Sequence, residues 1–274
     1  MAANSIPRKI LKQLLKPFPK LREIAQSVSV VKDIKSGHWA SEDEPEIFWI
    51  ESILQDGDIA IDVGANFGLY SYHLSNAVGN KGSVYSFEPI PYTFRILKRV
   101  ISIFKLKNVK LINKGCADKN GTIDFSIPLQ KNGTISAGLA FIDMDKRDRE
   151  IRLKKSTYSS YTTQKSEIIK IDDYLKDLNK LSFIKVDVEG ADLLVLKGAI
   201  NNIKKFKPII MIEIEDRYID SYNISREDIK SFFDKLDYEI FCYEEDSLRK
   251  CNYDYKSVTN FIFIPTSHSA NYIK

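Results

Sequence analysis

Residues 62–68, Asp62-Val63-Gly64-Ala65-Asn66-Phe67-Gly68, end an apolar run and open a helical pattern. Gly64 permits a sharp turn off a strand, and Gly68 lets a helix begin close to the sheet or to a ligand. Amides at such a helix start, Ala65 and Asn66 included, suit a carboxylate or a phosphate. The spacing is not the G-x-G-x-x-G of dinucleotide sites. Asp62, at the strand end, would repel a pyrophosphate and accept an ammonium, which fits the amino-acid end of S-adenosylmethionine. Glu88 lies 20 residues after Gly68 and closes the next strand pattern. A carboxylate there accepts hydrogen bonds from ribose hydroxyls. That position alone does not separate NAD from S-adenosylmethionine. Cys116, Ala117 and Asp118 follow the third strand pattern, where an adenine ring would lie, with Asp118 accepting from its exocyclic amine. Plainer readings exist: Asp62 as a helix cap, and Glu88 paired with Arg95. The sheet order predicts both acids at strand ends, which favours the binding reading.

Strands and helices must alternate to put these residues on one edge. Residues 58–64, 82–89, 108–118, 181–190 and 208–216 read as short apolar strands. Between or after them come helical patterns over 66–79, 91–105, 191–206 and 225–237, the last opened by Ser225 with Asp228 three residues on. Two closing strands, 238–245 and 258–265, complete the order. The pattern predicts an α/β, doubly wound, mainly parallel sheet with its ligand edge at the strands' carboxyl ends. Residues 119–170 break the rhythm and read as a β-hairpin and loop insertion over that edge. Residues 1–41 read as a basic helical extension ahead of a main domain spanning 42–274.

The net charge of +4 is uneven, because residues 1–35 carry +6 and the remainder −2. A near-neutral body argues against nucleic acid as a partner. The basic start has Ile6, Ile10, Leu11, Leu14, Leu15 and Phe18 at helical spacing, ended by Pro17 and Pro19. It suits peripheral contact with an anionic membrane surface, or plain docking on the domain. Three cysteines without a CxxC pair predict free thiols, and with no signal-like or membrane-length apolar run the expected location is cytoplasmic.

“DIAIDVGANFGLYS”, “SFEP”, “IIKIDDYL”, “FIKVDVEGADLLVLKGA” and “PIIMIEIE”, in this order over roughly 42–216, resemble the FkbM family of S-adenosylmethionine-dependent methyltransferases. The resemblance implies a Rossmann-like class I methyltransferase fold, seven-stranded with an antiparallel last strand. It also implies O-methylation of a hydroxyl on a sugar, glycolipid or polyketide. It assigns Asp62 to Gly68 to the methionine end of the cofactor and Glu88 to its ribose. Ile171 stands where the family often has Thr.

The fourth strand closes with Lys185 and Asp187 on one side, followed by Glu189, and the fifth closes with Glu213. In such a sheet Asp187 reaches the rim beside the transferable methyl. A carboxylate there is a candidate base for an acceptor hydroxyl. Alternatively Asp187, Glu189 and Glu213 would hold Mg²⁺, a hard ion matched by oxygen ligands. His38, in the segment before the domain, is a further candidate base. Two other readings stand beside methyl transfer: an NAD-dependent oxidoreductase and a cofactor-binding module without turnover.

Overall fold

The computed structural model describes residues 18–130, 140–142 and 158–272. The amphipathic pattern before Phe18 and most of the loop inside 119–170 lie outside the described residues. The chain enters with α1 (Pro19–Ser36), a π-helical turn (Trp39–Asp43) and α2 (Glu46–Ile53). Pro19 occupies the first turn of α1. A proline read as ending one helix therefore begins the next, because its missing N–H costs nothing there. Val30 and Ile34 of α1 pack on Ile96 and Val100 of α4 (Pro91–Phe104).

Strands β1 (Ile59–Val63), β2 (Ser83–Phe87), β3 (Val109–Ile112), β8 (Phe183–Val186) and β9 (Ile209–Glu213) form the parallel part of the main sheet. With β10 (Tyr238–Glu244), β11 (Ser247–Lys250) and β12 (Asn260–Pro265), the full order is β11-β10-β12-β9-β8-β1-β2-β3, eight strands in all. The strand β12 runs antiparallel to both β9 and β10. Seven strands match the expected sheet; β11 is the addition. It folds back on β10 through Glu245 and Asp246, both at positive φ. Two consecutive left-handed residues make a tight hairpin turn, which normally announces itself with Asn or Gly.

Alternate residues of the central strands enter different cores. Ile61, Val63, Ile184 and Val186 pack with α6 (Asp192–Gly198), α7 (Ile200–Phe206) and α9 (Arg226–Asp234). Ala60 and Phe183 pack with α2 and α3 (Leu69–Val78). The sheet is thus covered on both faces, as parallel strands require. Ser225 and Asp228 form the expected reciprocal cap of α9. The single helix predicted over 191–206 is two, α6 and α7, breaking at Ala199. A Cβ on Gly198 would stand 2.0 Å from the carbonyl oxygen of Ala117, so the end of α6 lies directly on that loop.

A second sheet of four strands forms between Gly115 and Ile169. Its centre is an antiparallel pair of β5 (Gly121–Gln130) and β7 (Tyr158–Ile169), flanked by β4 (Gly115–Cys116) and β6 (Phe141–Ile142). The Ser166 hydroxyl donates to the carbonyl of Pro89 at 2.8 Å, anchoring this sheet beside Glu88. Among the described residues no helix is long and apolar enough to cross a membrane.

Candidate functional site

The carboxyl ends of β1, β2 and β8 surround a cleft that opens to solvent. Gly64, Asn66, Glu88, Cys116, Asp187 and Glu189 all line it, with Phe87 and Ile90 as apolar walls. Phe125, from the second sheet, closes one side. Six of the residues singled out from sequence therefore meet in one place.

The glycine turn owes its shape to close packing. Gly64 has φ +77° and Gly68 φ +95°, left-handed values that glycine adopts freely. A Cβ on Gly64 would stand 1.9 Å from the Asp187 carbonyl oxygen, so β1 and β8 meet backbone to backbone here. Gly64→Ala is expected to destabilise the fold by roughly 3 kcal/mol; an unchanged urea midpoint would contradict the close approach. A Cβ on Gly68 would lie 2.7 Å from Leu97 of α4. Gly68 thus serves helix packing, and Ala65 is buried beside the same Leu97 and Ile101. The turn's amides are engaged inside the fold. Gly64 and Ala65 both donate to the Phe87 carbonyl at 3.0 Å, and Gly68 donates to the Ala65 carbonyl at 2.8 Å.

Glu88 is held from two sides. Asn66 N–H donates to its Oε2 at 3.1 Å, and Ile90 N–H donates to its Oε1 at 2.9 Å. Burial pushes its carboxyl up to about 8, although both amides favour the anion. Arg95 is engaged elsewhere, with Glu23 at 2.6 Å, so the plainer ion-pair reading of Glu88 does not hold. Asn66 itself sits at φ 48°, and its Oδ1 is buried without a hydrogen-bond partner at the cleft wall.

Several expected residues do not face the cleft. Asp62 is completely buried behind the turn, where the Ser71 hydroxyl donates to its Oδ2 at 2.6 Å. Ala117 is buried against α6, and Asp118 is exposed. Glu213 is half-buried at the end of β9; burial first, then Asp187, Glu189, Asp192 and Glu215, push it up to about 10. His38 is half-exposed at the start of the π-helical turn. Among the described residues no group of three His, Cys, Asp or Glu side chains converges to hold a metal ion. The proposed set of Asp187, Glu189 and Glu213 is thus not assembled, because Glu213 stands outside the cleft that the other two line.

Two further features surround Asp187; strand alternation places the first, and the second escaped the sequence. Lys185, 4% exposed, puts its Nζ 3.0 Å from Asp187 Oδ2 and 4.8 Å above the ring of Tyr70. Burial disfavours its charge, but Asp187, Asp62 and Glu44 outweigh that and hold the proton above the ordinary lysine value. Beside it the Tyr70 hydroxyl reaches Glu44 at 2.7 Å and Glu46 at 2.8 Å, and Asn260 donates to Glu44 at 2.7 Å. Burial, then Glu46, push Glu44 up to about 7. Spacing along the chain gives no sign of this network, since Asn260 lies 216 residues from Glu44.

Comparison with known proteins agrees with the fold. Over 148 residues the chain is 24% identical to Methyltransferase 1 of Beauveria bassiana (strain ARSEF 2860), covering 52% of this chain and 59% of that protein. Over 167 residues it is 25% identical to Methyltransferase sdnD of Sordaria araneosa, covering 53% and 61%. The matched segments thus span about three fifths of these relatives' lengths. Methyltransferase FkbM from Methylobacillus flagellatus KT has a similar structure, with a TM-score of 0.51 at 17% identity, over 80% of this chain and 47% of that one. The model of the methyltransferase FkbM domain matches residues 62–255, from the buried Asp62 to beyond β11, and with most of the chain inside that match the chain belongs to the FkbM methyltransferase family.

Proposed function

We propose that the protein is an S-adenosylmethionine-dependent O-methyltransferase acting on a sugar hydroxyl of a glycan, glycolipid or related natural product. The observation that carries this reading is the pairing of Glu88 with Asp187 across one cleft. In this reading the first would meet the ribose and the second the acceptor. The residues fit the cofactor: Asn66 Oδ1 is a buried acceptor in need of a donor, and Glu88 is a buried carboxyl that hydroxyl donors would stabilise as the anion. When bound, the cofactor supplies an electrophilic methyl on its sulfonium.

The chain's own groups then do the rest. Gly64, Asn66 and Glu88 would orient the amino-acid and ribose parts, while Phe87, Ile90 and Phe125 exclude water from the remainder. Asp187, with its side chain 41% exposed, is open to an acceptor from the solvent side. It accepts the hydroxyl proton as the oxygen attacks, with Lys185 engaging one of its oxygens and fixing its direction. Carboxylates along this rim favour an uncharged polyhydroxyl acceptor over a phosphate.

Calorimetric titration with S-adenosylmethionine and S-adenosylhomocysteine, with NAD as control, tests the cofactor half. Dissociation constants on the order of micromolar for the first two are expected; binding of NAD alone would overturn it. Labelled methyl transfer to a panel of glycans, with and without chelator, tests the acceptor half. Asp187→Asn should keep cofactor affinity within about threefold and lower turnover by 10²-fold or more. Full turnover in that variant would move the base elsewhere.

A further inference from the structure

Seven large apolar side chains stand exposed among the described residues, and five share one face of the molecule. Phe18, just before α1, and Leu21, Ile24 and Val28 within it form a stripe, exposed by 55%, 50%, 47% and 58%. Ile103 of α4, 47% exposed, lies across a groove from Ile24 and Val28. The spacing of the stripe, three and four residues, is that of a second apolar helix face. The first face of α1 is already buried through Val30 and Ile34. The exposed stripe therefore contributes nothing to the core.

The charge around the stripe is one-sided. Over Pro19–Ser36 and Pro91–Phe104 there are seven basic residues and two acids, a net +5. The whole chain carries +4, so everything outside these two helices sums to −1. One of the two acids is silenced: Glu23 is buried between Arg95 and Arg99, at 2.6 and 2.8 Å, and those guanidiniums still present their outer edges to solvent. Lys98 lines the same groove as Arg95 and Arg99, and Lys20 flanks the stripe.

An apolar stripe rimmed by cations fits one surface chemistry best. Nucleic acid would use the charge but leave the apolar side chains in water. A bilayer of anionic lipids uses both, taking the apolar stripe into the acyl boundary and the cations at the headgroups. We infer that the α1–α4 face docks peripherally on an anionic membrane surface. The placement suits the cleft: α4 begins at Pro91, one residue after Ile90 of the cleft wall. This assignment stands whether or not the acceptor is a sugar.

The test is co-sedimentation of the full chain with vesicles of phosphatidylglycerol and phosphatidylcholine, against vesicles of phosphatidylcholine alone. Binding to the anionic vesicles only, falling as salt rises, is expected. Ile24→Glu with Val28→Glu should weaken it by about tenfold or more, and Lys98→Glu by about fivefold. Both changes are at exposed positions, so circular dichroism and S-adenosylmethionine affinity should stay as in the unmodified chain. Equal recovery with both vesicle types, or anionic binding that these substitutions leave unchanged, overturns the inference. So does a dimer, seen by analytical ultracentrifugation, that the double substitution dissociates while vesicle binding persists. In that case the stripe belongs to a second copy of the chain.

Discussion

Glu88→Gln is expected to bind S-adenosylmethionine about 30- to 100-fold more weakly than the unmodified protein above pH ~8, and to lose the pH dependence of binding. The reasoning starts from burial. Glu88 is 5% exposed, and its carboxyl is pushed up to about 8. In the empty cleft at pH 7 only about one molecule in ten carries the anion. Ribose hydroxyls donate, and a donor favours the ionised form. Binding therefore releases a proton below pH ~8, and affinity rises by up to about tenfold per pH unit until that point and then levels. Calorimetry in buffers of different ionisation enthalpy would read the proton directly. The same shift bears on the empty protein. A carboxyl raised above its ordinary value of 4.5 contributes stability that is full below that value and is lost as pH rises through about 8. The unliganded chain should thus lose up to roughly 5 kcal/mol from this group between those limits, and the ligand should restore part of it. Binding that is flat from pH 6 to 9 would show that Glu88 does not meet the ribose.

How much of this was legible in the sequence depends on the range of the contact. Gly64, Asn66 and Glu88 were found because a strand-turn-helix places them by local rules. Lys185 and Asp187 were put on one side by strand alternation alone, and the 3.0 Å contact between them follows. Asp62 was misplaced for an equally physical reason. The strand rule gives its face but not its depth, and Ser71 on the following helix draws it inward. For Gly68 the sequence allows close approach to the sheet or to a ligand, and for Ala65 it suggests an amide toward a ligand; their neighbours are Leu97 and Ile101, on a helix that local spacing does not position. The strand β11 was missed because its turn uses Glu245 and Asp246 in the left-handed region, where residue type usually gives the warning. Glu44, Glu46, Tyr70 and Asn260 form a network between segments whose meeting only the closed sheet decides. The misses share a cause: each depends on what packs behind a residue, and a single sequence states that least.

Lys185→Met is expected to lower the free energy of unfolding by about 3–5 kcal/mol at neutral pH, the largest single-residue effect the site predicts. Asp62 and Lys185 are paired neighbours on β1 and β8, and Asp62 is wholly buried with its Oδ1 lacking any hydrogen bond. Burial already raises the Asp62 carboxyl, and Lys185 is the cation that opposes this. Methionine fills similar volume but supplies no charge, so Asp62 would be left as an uncompensated buried anion or would take up a proton. Asp187 loses the same partner, but its side chain is 41% exposed and water replaces part of the interaction, so most of the penalty comes from Asp62. The sign with pH follows. Burial raises the Asp62 carboxyl, and once protonated it asks nothing of the ammonium, so in acid the variant should approach the unmodified protein, and the gap should open as pH rises toward neutrality. Adding Asp62→Asn should recover more than half of the loss, because it removes the stranded charge, whereas adding Asp187→Asn should recover little. Urea unfolding of the three variants at acid and neutral pH separates these outcomes. A Lys185→Met protein as stable as the original at neutral pH would mean that the ammonium does not offset the effect of burial on Asp62.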